Sequence, residues 1–170
     1  QPPGAEVELE ECQRIVSLYR QENNKVTELW RDCDTALEWL MGNKGSNRTF
    51  HIGKHNALLM SSDGIVLPNG LKIRYPNLRL NSEERMIYDS RRGPVSIWGG
   101  AMVENVVQAL ARIVVGEQML AIAEKYKVVL TVHDAAVVVV KDAELEEALA
   151  FITNAMSTAP AWAPGLPVAC

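Results

Sequence analysis

The chain has 170 residues, 48% of them hydrophobic and 22% charged, which excludes a disordered polymer and suffices for one domain with a packed core. Its net charge of −4 gives no compositional sign of nucleic-acid binding, although a local groove can be basic on an acidic protein. No apolar run is expected to span a bilayer, no basic and apolar leader opens the chain, and three cysteines at wide spacing (Cys12, Cys33, Cys170) suit a reducing cytoplasm better than a disulfide framework.

The spacing of Leu9, Cys12, Ile15, Val16 and Tyr19 predicts a helix from Val7 to about Asn23. A second helix is expected from Lys25 to Met41, with Leu29, Trp30, Cys33, Leu37 and Leu40 as its apolar stripe. Residues 42–47 read as a loop. From Leu58 to Leu80 the texture is that of strands. Ile65–Leu67 and Leu71–Tyr75 flank Pro68-Asn69-Gly70, where Asn-Gly signals a hairpin turn. Arg85–Asp89 and Pro94–Trp98 predict another hairpin, connected by residues 90–93. Gly99-Gly100 opens a long helix, about Ala101 to Tyr126, with Val103, Val106, Val107, Leu110, Val114 and Leu120 on its apolar face. Leu130-Thr131-Val132 and Ala135–Val140 then read as two strands around His133-Asp134. Asp142 is expected to cap a last helix, Ala143 to about Ser157. The proline-rich residues 160–167 read as an irregular exit strand. The mixture is α+β, with helices on an antiparallel sheet.

Asp134 is the residue with the strongest claim to chemistry. A carboxylate at the tip of a buried hairpin is costly unless something pairs with it, and a divalent cation is one such partner. By residue type alone, a single turn aspartate is more often a solvated or capping group. His133, by the same reasoning, reads as a core histidine.

The strand–His133-Asp134–strand unit resembles motif C of the family A DNA polymerases, the DNA polymerase I family. The likeness continues through Gly93-Pro94-Val95-Ser96-Ile97-Trp98-Gly99-Gly100, Val103-Glu104-Asn105-Val106-Val107-Gln108-Ala109-Leu110-Ala111-Arg112 and Ala161-Trp162-Ala163-Pro164-Gly165-Leu166-Pro167. These segments occur in the order found in phage-type members. The resemblance covers nearly all of the chain and implies the C-terminal, mainly palm portion of a polymerase domain, an antiparallel palm sheet with packed helices, truncated at both ends.

What the resemblance implies is template-directed DNA synthesis in the cytoplasm of a bacterial or phage-infected cell, with primer-template DNA and dNTPs as partners and no membrane. Asp134 would be the catalytic residue and motif C metal ligand, serving two Mg²⁺ ions. Such ions, ~3.5–4 Å apart, clamp the attacking and leaving oxygens of an in-line transfer. His133 would sit beside the primer terminus. Gln108 would read minor-groove acceptors, which every base pair presents. Asn105 would be a further DNA contact on this resemblance, although the family asparagine usually lies four residues before the glutamine, where this chain has Glu104, so Glu104, Asn105 or neither takes its place.

The pattern also breaks in places. Ala135 stands where many relatives carry a glutamate. The motif A aspartate and the fingers helix, with its arginine, lysine and tyrosine, are absent and are expected upstream in the rest of the polymerase chain. The 170-residue chain is therefore expected to be inactive alone. The alternative is a non-catalytic palm remnant that binds nucleic acid. Arg91, Arg92, Arg112, Lys125 and Lys127 are phosphate candidates or simply solvated cations. His51 and His55 have half-zinc-site spacing, but Gly53 between them disfavours the helix such a site needs.

Overall fold

The computed structural model describes residues 8–52 and 57–170, and mixes α-helices with antiparallel strands. Val7, Gly53 and His55 therefore lie outside the described residues. The chain divides into two compact units, residues 1–43 with 75–104 and residues 44–74 with 105–170.

In the first unit, helices α1 (Leu9–Glu22) and α2 (Asn24–Gly42) meet at Asn23, whose side-chain amide donates to the Tyr19 carbonyl at 2.9 Å. α1 carries the apolar spacing that the sequence predicts but buries none of it. On α2, Cys33, Ala36, Leu37 and Leu40 are buried, whereas Leu29 is exposed and so drops out of the expected stripe. Strands β5 (Arg79–Leu80), β6 (Met86–Ser90) and β7 (Gly93–Ser96) form an antiparallel sheet. Ser90 pairs with Gly93, so Arg91-Arg92 is the whole turn, and Gly93 has φ 113°, a left-handed value that glycine adopts at little steric cost. Tyr75 packs edge-on against Tyr88 at 5.2 Å. Asp89 accepts from Asn77 at 2.9 Å and pairs with Arg79 at 2.9 Å, and both contacts hold its carboxyl below the ordinary range.

The same unit holds the start of α3 (Gly99–Ala123). The long helix thus begins at the two glycines rather than after them, and ends before Tyr126. Asp34 on α2 accepts the Gly99 N–H at 2.5 Å, which satisfies one of the donors that a helix N-terminus leaves unpaired. Gly99 lies against the Trp30 carbonyl with no room for a Cβ, and the Trp98 indole covers Gly100. Trp30 and Trp98 meet edge-on at 5.4 Å.

In the second unit, β1 (Thr49–Ile52), β2 (Leu58–Ser61), β3 (Gly64–Val66) and β4 (Lys72–Ile73) form an antiparallel sheet in chain order. The Asn69-Gly70 turn falls where the sequence places it, with Gly70 at φ 81° and Asn69 accepting the Leu71 N–H at 3.1 Å. β4 ends at Ile73, short of the expected Tyr75. β8 (Val128–Val132) pairs with β9 (Ala135–Val138) in a sheet of two strands, followed by a 3-10 turn (Asp142–Glu144) and α4 (Leu145–Met156). Asp142 therefore does not cap the last helix; Glu144 takes the cap position, without a side-chain hydrogen bond. Residues 160–167 are not a strand either. Proline at three positions limits ladder donors, and the segment closes into successive turns, Ala163 N–H to the Pro160 carbonyl at 3.0 Å and Leu166 N–H to the Ala163 carbonyl at 3.1 Å.

Buried on α3 are Met102, Val106, Ile113, Gln118 and Ile122, while Val107 and Leu120 of the expected apolar face are exposed. By length and composition α3 is apolar enough to cross a membrane, with mean hydropathy 1.5 over its best window. That corrects the expectation that no run reaches this length: Glu104, Arg112 and Glu117 break the run into short pieces to the eye, but the average stays apolar.

The glycines at the start of α3 give a direct test. Gly99→Ala should lower unfolding free energy by about 2 kcal/mol, because the new methyl meets backbone that cannot yield. Asp34→Ala should cost about 1 kcal/mol through loss of the cap. Denaturant titration of both variants checks this; wild-type stability for Gly99→Ala would contradict the packing described.

Candidate functional site

The β8–β9 hairpin is built from β-branched residues that favour a pleated, half-buried surface. Its register pairs Val132 with Ala135, Thr131 with Ala136 and Leu130 with Val137, with an irregularity between Val128 and Leu130. This register leaves His133 and Asp134 as the two-residue tip. His133 takes φ 54°, a left-handed conformation that a tight turn requires and that histidine tolerates better than β-branched residues do.

One side of the hairpin is held by protein. Val128, Ala136 and Val138 pack against a cluster centred on Ile122 in the last turn of α3, Tyr126 in the turn after it and Ala148 of α4. Tyr126 meets Phe151 edge-on at 5.7 Å, and the Lys125 ammonium lies 5.3 and 5.4 Å from the two ring centroids. Lys125 also donates to Glu147, which raises its pKa above the ordinary value. Lys125 is thus a structural cation here rather than a free phosphate candidate.

The tip itself is in solvent. His133 and Asp134 are exposed, and neither has a hydrogen bond or ion pair among the described residues. This corrects the expectation of a buried tip: water solvates the carboxylate, so burial cost gives no argument for a metal. The same exposure leaves both Asp134 oxygens available. No group of three metal-ligating side chains occurs among the described residues. Asp134 therefore fits one contribution to an ion and does not make a site alone, since Mg²⁺ is held by one or two carboxylates plus substrate oxygens.

Gln108 and Asn105 lie on α3, where a spacing of three places them one above the other on one face. Gln108 is exposed and Asn105 half-buried. The Ile122–Tyr126 cluster ties the end of this helix to the hairpin, so one core supports both elements. His51 is exposed in β1 opposite Leu59, on a strand rather than the helix that a His-x-x-x-His ligand pair needs. Sequence reasoning missed the supporting residues Tyr126, Phe151 and Glu147. The signal for Tyr126 was its place in the short turn between α3 and β8; nothing in the spacing foretells the pairing of Lys125 with Glu147, 22 residues away.

The DNA polymerase of Bacillus phage SP02 is 29% identical to this chain over a 174-residue alignment that covers 93% of the chain. The chain is similar to a phage DNA polymerase over nearly all of its length. It spans only 26% of that polymerase. No family model matches the chain, and no solved structure matches it.

Geometry at the tip generates a paired expectation. His133→Val should cost about 1 kcal/mol or more, because a β-branched side chain is strained at positive φ. Asp134→Ala should change stability by less than about 0.5 kcal/mol, as an exposed and unpaired group. Thermal or denaturant unfolding separates the two; a large loss for Asp134→Ala would show a partner that the tip does not have here.

Proposed function

We propose that this chain is the C-terminal, mainly palm portion of a family A DNA polymerase, and that it serves template-directed DNA synthesis as part of a longer polypeptide. The observation that carries the reading is the similarity to the phage SP02 polymerase across a chain in which an unpaired aspartate, Asp134, stands at an exposed hairpin tip. On this reading the partners are primer-template DNA and dNTPs.

Each residue has a physical task. The Gln108 side-chain amide donates to minor-groove acceptors near the primer end, which all base pairs offer, so pairing geometry is checked without reading sequence. Asn105, one turn away, adds a second polar contact on the same face. His133 lies next to the primer terminus. Asp134 supplies one carboxylate toward divalent cations, which in such reactions neutralise charge developing on the transferred phosphoryl group. The second carboxylate would come from outside this chain, as would the side chains that grip the triphosphate. Ala135, which pairs with Val132 at the start of β9, contributes no ligand atom.

A non-catalytic remnant is the second reading. It is favoured by Ala135, which supplies no ligand atom at the position where many relatives carry a glutamate. On that reading duplex binding persists and catalysis is gone even in the full polypeptide.

The purified chain should bind a primer-template duplex at low salt, measured by fluorescence anisotropy. Gln108→Ala should weaken binding roughly tenfold, the equivalent of about 1.4 kcal/mol, while Asp134→Ala should leave it little changed. Primer extension by the chain alone, with Mg²⁺ and dNTPs, should give no product. Extension by the isolated chain would overturn the view that its catalytic site is partial, and no affinity for duplex would overturn the DNA reading altogether.

A further inference from the structure

From Asn105 onward, α3 belongs to the second unit. At 3.6 residues per turn, Asn105, Gln108, Arg112 and Gly116 fall on an arc of about 80°, over roughly 17 Å of helix axis. The buried side chains of this part of α3, Val106, Ile113, Gln118 and Ile122, all lie off that arc. The polar stripe therefore extends beyond the two residues already discussed.

Arg112 is exposed and has no hydrogen bond or ion pair among the described residues. Arg14, Arg74, Arg79 and Arg85 pair with carboxylates, while Arg20, Arg31, Arg48, Arg91 and Arg92 have no side-chain ion pair among the described residues, so it is the place beside Gln108 that singles out Arg112. The next acid along α3, Glu117, does not neutralise Arg112; its two oxygens accept the Trp162 indole N–H at 3.1 and 3.2 Å. Arg112 thus keeps an unpaired guanidinium one turn from Gln108.

Gly116 is a second and independent oddity. A glycine inside a helix is destabilising relative to alanine. Here a Cβ would meet nothing within 4 Å, so packing inside the protein does not require the glycine. Gly116 is half-buried, and the open space where its Cβ would stand leaves room beside α3 for the close approach of another chain.

We propose that Arg112 holds a phosphate of the duplex whose base pair Gln108 reads, and that Gly116 is the opening through which the sugar–phosphate backbone approaches α3. Arg112 lies about 6 Å along the axis from Gln108. That is close to two nucleotide steps of ~3.4 Å on one strand. A planar guanidinium fork matches phosphate oxygens and carries no sequence preference. The inference rests on the reading of Gln108 as a DNA contact.

The test is the salt dependence of duplex binding by the 170-residue chain, with four proteins compared: wild type, Gln108→Ala, Arg112→Gln and Gly116→Leu. Losing one phosphate contact should reduce the slope of log K against log[salt] by about 0.9 for Arg112→Gln. Gln108→Ala should weaken binding and keep the wild-type slope. Gly116→Leu should weaken binding at least tenfold while its melting temperature stays at or above that of wild type, which separates blocked access from misfolding. A wild-type slope for Arg112→Gln, or unchanged affinity for Gly116→Leu, overturns this inference and leaves the Gln108 reading standing. Absence of duplex binding by the wild-type chain sinks both.

Discussion

The β8–β9 hairpin has only two strands, and an isolated two-stranded hairpin is marginal in water. Everything that can be said of Asp134 depends on the cluster that holds this hairpin. Ile122 comes from the last turn of α3, Tyr126 from the turn just after it, and Ala148 and Phe151 from α4, so two helices and the turn between α3 and β8 grip one side of the sheet. Lys125 reinforces the grip through Glu147 and the faces of two rings. The exposed pair adds little by itself; the aromatic and aliphatic burial beneath it sets the hairpin's position.

A second anchor of the same kind works at the other end of α3. Asp34 caps the helix from α2, and Gly99 permits the backbone contact with Trp30 that an alanine would block. The helix is thereby fixed at its first turn by a side chain 65 residues earlier in sequence. Such a cap is stronger as a constraint than a local one, because it ties two elements together as it satisfies an unpaired donor.

What was legible follows from range. The hairpin at Asn69-Gly70 could be read from its turn residues, and the one at His133-Asp134 from the β-branched runs on either side of it, because in both the signal and its structure are local. The long helix could be read from period, but its buried side could not, because Val107 and Leu120 are as apolar as Val106 and Ile113, and only tertiary packing chooses between them. Asp142 looked like a cap because it precedes an apolar period, yet a 3-10 turn takes up that position. Asp34 carried no local sign of its role. At the candidate site, residue types alone favoured a solvated Asp134 and a core His133, the resemblance singled out Asp134, His133 and Gln108 as candidates, and the exposure of the tip had to come from the fold.

The account treats this chain as the part of a polymerase that presents one carboxylate and reads the primer-terminal pair, with the other carboxylate and the triphosphate grip encoded elsewhere. The most direct measurement is to sequence the coding DNA immediately upstream of Gln1. The account predicts a continuous reading frame that encodes a strand-borne aspartate and a helix carrying arginine, lysine and tyrosine. An in-frame stop codon there, or an upstream frame without those residues, would contradict it.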